Sequence, residues 1–129
     1  MTEGVKMIKQ INVREATEKD ADLILDFIRK LAEYEKLDKE VVTTTEAIGR
    51  TLFGPNKVAS SLIGEVDGQP RGFTVYFYNY STFLGKPGLY IEDLFVDPEC
   101  RGAGLGKALF VALAKTAVAK GCGRMEWSV

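Results

Sequence analysis

Arg101-Gly102-Ala103-Gly104-Leu105-Gly106-Lys107 lies between two segments of opposite character. Upstream, Leu89-Tyr-Ile-Glu-Asp-Leu-Phe-Val96 is rich in β-formers, and downstream Ala108 to Lys120 has helical composition. A strand that feeds a glycine-rich turn opening a helix presents unpaired backbone N–H groups at a positive dipole end. That arrangement holds phosphate anions. On the loop alone, the other reading is a tight strand-to-helix turn whose glycines serve packing.

Spacing tests the two familiar phosphate loops. A P-loop needs four residues between its first glycine and Gly-Lys, followed by Ser or Thr. Gly102 leaves only three before Gly106-Lys107, and Ala108 has no hydroxyl to offer magnesium. The dinucleotide fingerprint Gly-x-Gly-x-x-Gly also fails, since its third glycine falls on Lys107 or Leu109. What remains is Arg-x-x-Gly-x-Gly.

With its neighbourhood, Tyr90-Ile-Glu-Asp-Leu-Phe-Val-Asp-Pro-Glu-Cys-Arg-Gly102, this pattern resembles the acetyl-CoA-binding strand and loop of the GNAT superfamily of N-acetyltransferases. Leu31-Ala-Glu-Tyr-Glu-Lys-Leu37 and the stretch from Asn79 to Asp93 are similar to its spermidine/spermine and thialysine acetyltransferase branch. The resemblance covers Ile11 to Val129. It implies an α/β fold with a mixed, mostly antiparallel sheet flanked by helices, and transfer of an acetyl group from acetyl-CoA to a primary amine. Backbone groups of Leu94, Phe95 and Val96 are then expected on the pantetheine arm. Arg101, Gly102, Ala103, Gly104, Leu105, Gly106 and Lys107 are expected on the pyrophosphate. Tyr34 and Glu35 fall where this branch places substrate contacts, and a homodimer is expected.

Two departures from the family pattern matter. The spermidine/spermine enzymes carry an acid and a tryptophan where this chain has Ser81-Thr82-Phe83, in a loop one residue shorter than this one. Without that carboxylate, a monoamine, diamine or amino-acid side chain is as plausible a substrate as a polycation. The family also continues past Met125-Glu-Trp-Ser-Val129 into a helix and a last pair of strands, bearing a tyrosine that protonates the departing thiolate. The resemblance thus implies a domain incomplete at its C-terminus, with Arg124–Val129 as an exposed edge. An acyl-CoA-binding protein without turnover and a protein or peptide N-acetyltransferase are the rival readings.

Acyl transfer to an amine needs a proton acceptor, because an alkyl ammonium has a pKa near ~10.4. The chain has no histidine, which removes the usual nucleophilic triads and zinc sets, so no metal is expected. Glu92 and Asp93 interrupt an otherwise apolar strand, and successive strand residues point to opposite faces. At least one carboxylate is therefore expected in covered surroundings that raise its pKa. Glu92 is the expected base, and Asp93 joins Tyr34 and Glu35 on the substrate side. Each has a bland alternative: a carboxylate satisfied by backbone donors, a tyrosine continuing the helix's apolar stripe, a solvated glutamate. Tyr76, Phe77, Tyr78, Tyr80 and Phe83 are candidates for an amine channel, although alternation assigns some of them to the core.

The 129 residues predict one domain, 1–129, of ordinary globular composition, 46% hydrophobic and 27% charged. A net charge of −1 with interspersed signs gives no bulk case for nucleic acid or an anionic membrane. Met1-Thr-Glu-Gly4 lacks a leader pattern and no apolar run approaches a membrane span, so a cytoplasmic location is expected. Cys100 and Cys122 then stay reduced, with Cys100 a bystander rather than a nucleophile.

Along the chain, residues 1–10 lack a pattern and are expected to be a loosely held lead-in. Ile11–Glu15 alternates as a strand. Thr17 opens a helix striped by Leu23, Ile24, Phe27, Ile28, Leu31 and Tyr34, and Thr43-Thr-Thr-Glu46 caps a second that ends at Gly54-Pro55. Ser60–Val66 and Arg71–Tyr78 form a hairpin around Asp67-Gly68. A loop over 79–88 precedes the strand Leu89–Val96, the helix runs from about Gly104 to Lys120, and a last strand starts at Arg124.

Overall fold

The computed structural model describes residues 9–128. Strand β1 (Ile11–Glu15) is followed by helices α1 (Ala21–Tyr34) and α2 (Thr45–Phe53). Strands β2 (Ser60–Val66), β3 (Gln69–Ser81) and β4 (Lys86–Val96) come next, then α3 (Leu105–Lys120) and β5 (Arg124–Trp127). One sheet has the order β1-β2-β3-β4-β5, antiparallel throughout except that β5 runs parallel to β4. A parallel pair needs a long crossover, and α3 supplies it. The lead-in up to residue 8 and Val129 lie outside the described residues. Gln10 is tethered: its N–H donates to Asp67 Oδ1 at 2.9 Å, and its carbonyl accepts from Asp67 N–H at 2.8 Å.

Side chains at the helix starts fix where the helices begin. The Asp20 carboxylate accepts from the Thr17 N–H at 2.7 Å and from Arg14 Nη1 and Nη2 at 2.7 and 2.9 Å. Arg14 Nε also donates to Glu65 at 3.1 Å, so one guanidinium joins β1, β2 and the approach to α1. The Arg14 hydrogen bond holds the Asp20 carboxyl below its ordinary 3.8 against the opposing cost of burial. A depressed folded pKa gives stability that is present above 3.8 and is lost as pH falls through the lower folded value. Asp20→Asn is therefore expected to flatten the acid limb of a stability-against-pH curve measured by urea unfolding. At α2, Thr44 Oγ1 accepts from the Ala47 N–H at 3.1 Å. Thr44→Ala is expected to cost ~1 kcal/mol in thermal unfolding.

Two apolar layers cover the sheet. On one face, Leu105, Leu109 and Leu113 of α3 press onto Leu62, Tyr76, Leu89 and Ile91. Gly64 and Gly72 permit that approach, since a methyl group on Gly64 would stand 2.7 Å from Leu105 Cδ1 and one on Gly72 3.2 Å from Leu105 Cδ2. On the other face, Ile24 and Phe27 of α1 with Ile48 and Leu52 of α2 pack on Ile63, Phe73 and Phe95. The Phe27 and Phe73 rings stack with centroids 5.2 Å apart.

Two features depart from the expected strands. The loop expected over 79–88 shrinks to a turn, because β3 runs on to Ser81 and β4 begins at Lys86. Leu84 N–H donates to Ser81 Oγ (3.1 Å), and Gly85 takes a positive φ of 65°. Pro87 is tolerated because it lies before β5 joins β4, and its carbonyl accepts from Gly123 N–H at 2.9 Å.

The second feature is a β-bulge. Tyr76 pairs with Ile91 and Val75 with Asp93, leaving Glu92 without a partner on β3. Before the bulge, Leu89 and Ile91 face α3; after it, Leu94 and Val96 do, while Asp93 and Phe95 turn toward α1.

Candidate active site

The glycine loop is built as its sequence requires. Gly102 and Gly104 have φ of 87° and 91°, a region closed to most side chains, and Gly104 caps α3. The first helical bond runs from Ala108 N–H to Gly104 O at 3.0 Å. The N–H groups of Leu105, Gly106 and Lys107 therefore precede the hydrogen-bonded ladder and are open to an anion.

They face a chamber of 670 Å³. Its walls are Leu31, Tyr34 and Glu35 of α1, Leu94, Phe95 and Val96 of β4, and Cys100, Arg101, Gly102, Gly104, Gly106 and Lys107 of the loop. Two of the expected loop residues are not in this wall. The Leu105 side chain is 1% exposed and packs into the core, which leaves only its N–H for a ligand. Ala103 is half-buried, and its N–H turns back to the Cys100 carbonyl at 3.3 Å.

A second chamber of 410 Å³ shares Leu31, Glu35 and Leu94 with the first. It opens because β5 pairs with β4 only from Gly88 to Ile91. From the bulge onward, β4 has β3 on one side and no described strand on the other. Glu92, Asp93, Phe110, Trp127 and Ser128 line the split, with Phe110 and Trp127 packed edge to face at 5.3 Å.

Both carboxylates of the pair thus open on one chamber, in different settings. Asp93, turned toward α1, is half-buried, and its carboxyl is pushed up to about 6, first by desolvation and then by repulsion from Glu92 and Glu35. Glu92, the bulged residue, is exposed to the chamber. Strict alternation does not foresee this, because the bulge re-aims both side chains.

Tyr34 ends α1 and is 60% exposed, so the apolar stripe of that helix stops short of it. Its ring lies 4.6 Å beneath the Arg101 guanidinium, and its hydroxyl accepts from Arg101 Nη1 at 3.2 Å. Glu35, one residue on, lines both chambers. The aromatic channel is not found at the carboxylates. Tyr76 is core, Phe77 packs at a tilt against Tyr90, Tyr78 lies under Lys120, Tyr80 is exposed, and Phe83 is fully exposed at the hairpin tip. Sequence reasoning missed Leu31, Phe110 and Trp127 as walls. Only the chain's single tryptophan, on a short last strand beside an apolar helix, gave any signal.

The cleft brings together open amides, two cationic side chains, a strand edge with no described neighbour and a carboxylate pair. No methyl clash hinders approach to Gly102, and at Gly106 the nearest atom to an added methyl is Val96 Cγ2 at 3.7 Å. Among the described residues, no group of three His, Cys, Asp or Glu side chains is placed to hold a metal ion, and no helix is long and apolar enough to cross a membrane.

This fold is that of an acetyltransferase. Residues 22–129 match the acetyltransferase (GNAT) family, and the chain belongs to it. It is 37% identical over 127 residues to thialysine N-epsilon-acetyltransferase of Bos taurus, an alignment covering 92% of this chain and 74% of that protein. It is 52% identical over 80 residues to L-ornithine N5-acetyltransferase of Arabidopsis thaliana, covering 62% of this chain and 32% of that one. The solved structure of an aminoglycoside acetyltransferase from an uncultured soil metagenomic sample, in complex with sisomicin, superposes with a TM-score of 0.78 at 18% identity. That likeness covers 92% of this chain and 77% of that one, and it concerns the fold.

Proposed function

We propose that this protein transfers an acetyl group from acetyl-CoA to a primary amine of a small molecule. One observation carries the reading. The open amides and the carboxylate pair face two chambers that share Leu31, Glu35 and Leu94, which supports a meeting of both substrates along the edge of β4 that has no described strand beside it.

The N–H groups of Leu105, Gly106 and Lys107, with Arg101, Lys107 and the loop glycines, would hold the diphosphate. The backbone of Leu94, Phe95 and Val96, unpaired on its β5 side, would hold the pantetheine arm as an added strand. Acetyl-CoA supplies an activated thioester when bound. Glu92, exposed to the chamber at the bulge, accepts the proton of the incoming ammonium through water. Asp93 and Glu35 attract that ammonium to the mouth of the split. The freed amine would attack the thioester carbonyl directly, without a covalent enzyme intermediate: the C–N bond forms, the C–S bond breaks, and coenzyme A leaves as the thiolate, which takes up the proton that the acylated nitrogen releases.

The names of the bovine and Arabidopsis relatives point to amines carried on amino-acid side chains, which supports that class, beside diamines, over polycations. A homodimer in the cytoplasm completes the reading.

A thiol-release assay over ornithine, thialysine, lysine, diamines, polyamines and lysine-bearing peptides tests it. Turnover on the free amines is expected. Protection against unfolding by acetyl-CoA without thiol release from any amine would make the protein an acyl-CoA binder instead. Turnover confined to peptides would make it a protein acetyltransferase.

A further inference from the structure

We infer that Tyr34 is a positioning residue that holds Arg101 ready for the diphosphate of an acyl-CoA, linking the end of α1 to the glycine loop. The inference rests on the reading of this cleft as a coenzyme A site.

Tyr34 is the last residue of α1 and 60% exposed, so core packing does not place its ring. What it touches is Arg101, whose guanidinium lies 4.6 Å from the ring centroid. The 3.2 Å hydrogen bond from Arg101 Nη1 to the Tyr34 hydroxyl fixes a second point on the same side chain. Together the two contacts set both the height of the guanidinium over the cleft and its rotation. They also span 67 positions of sequence, from a helix end to the glycine loop.

The choice of partner matters. Among the described residues Arg101 makes no ion pair. A carboxylate would hold a guanidinium in place but would cancel the charge it brings to an anion. An aromatic face orients the cation and leaves its charge, and its other N–H donors, unspent. Arg101 and Tyr34 line the same chamber as Gly102, Gly104, Gly106 and Lys107, so the held charge faces the open amides. Orienting a long side chain before the ligand arrives lowers the rotamer entropy lost on binding.

The test is titration calorimetry with coenzyme A on wild type, Tyr34→Phe, Tyr34→Leu, Arg101→Ala and the Tyr34→Leu/Arg101→Ala double variant. Steady-state kinetics run alongside. Tyr34→Leu is expected to weaken coenzyme A binding about two- to fivefold, the scale of an exposed cation–π contact. Tyr34→Phe, which keeps the ring, is expected to lose less. The double variant is expected to bind no worse than Arg101→Ala alone. KM for acetyl-CoA rises in Tyr34→Leu, while kcat and KM for the amine hold.

Additive losses in the double variant would overturn the inference. So would a Tyr34→Leu protein that binds coenzyme A like wild type and instead has a raised amine KM. Absence of coenzyme A uptake by wild type would refute the coenzyme-site reading and this inference with it. Equal uptake by wild type and Tyr34→Leu would refute this inference alone.

Discussion

Glu92→Gln is expected to slow acetylation about a hundredfold, the scale of a lost general base, while thermal stability and coenzyme A affinity stay at wild-type values. The substitution keeps the side chain's shape and removes its ability to take a proton, along with the charge that repels Asp93. Glu92 is exposed, so no buried partner is orphaned. Asp93→Asn behaves differently. With its carboxyl at about 6, Asp93 is neutral on the acid side and charged above it. Attraction of an ammonium therefore weakens as pH falls through that value. Asp93→Asn is expected to raise the amine KM and to erase this limb of the KM-against-pH profile. Glu35→Gln removes a repulsion that raises the Asp93 pKa, so the limb should move to lower pH. Thiol-release kinetics across pH check all three. Wild-type turnover in Glu92→Gln with collapse in Asp93→Asn would transfer the base role to Asp93.

The second large effect is expected at Gly106. A methyl group there meets only Val96 Cγ2, at an ordinary 3.7 Å, and the backbone φ is not positive. Gly106→Ala should therefore fold well and gain ~0.5–1 kcal/mol from helix propensity, because the residue stands in the first turn of α3. Gly106→Glu also folds, but it sets a carboxylate in the chamber where the diphosphate is to sit. Like charges about 5 Å apart at an effective dielectric near 20 repel by about 3 kcal/mol, which corresponds to roughly a hundredfold loss of coenzyme A affinity. Calorimetry on the two variants separates fold from ligand. Full binding by Gly106→Glu would place the anion elsewhere.

Much of this was readable in advance. The strand–glycine loop–helix succession, the threonine caps, the Asp67-Gly68 hairpin and the sheet class all arise from local chemistry: backbone freedom, side-chain acceptors and alternation. Two things were not readable. Pro87, Gly85 and Gly88 signal a loop by composition, yet pairing with Tyr78–Ser81 overrides that preference and carries both strands further. A one-residue bulge leaves no mark on composition, so the separate surroundings of Glu92 and Asp93 emerge only from the register. Tyr34 shows a related limit. Helical periodicity gives a residue's direction but not whether any sheet lies beneath it, and Tyr34, the last residue of α1, is exposed.

The bulge leaves β4 with two parities spliced at one residue, odd numbers toward α3 up to Ile91 and even numbers from Leu94. The count of residues between Leu89 and Val96 therefore decides whether the strand carries an extra, unpaired residue into the split. Removing Glu92 would restore a uniform pleat and leave Ile91 and Phe95 in their layers, but it would take the exposed carboxylate out of the split. The apolar layers thus tolerate a shorter strand, whereas the acid pair does not.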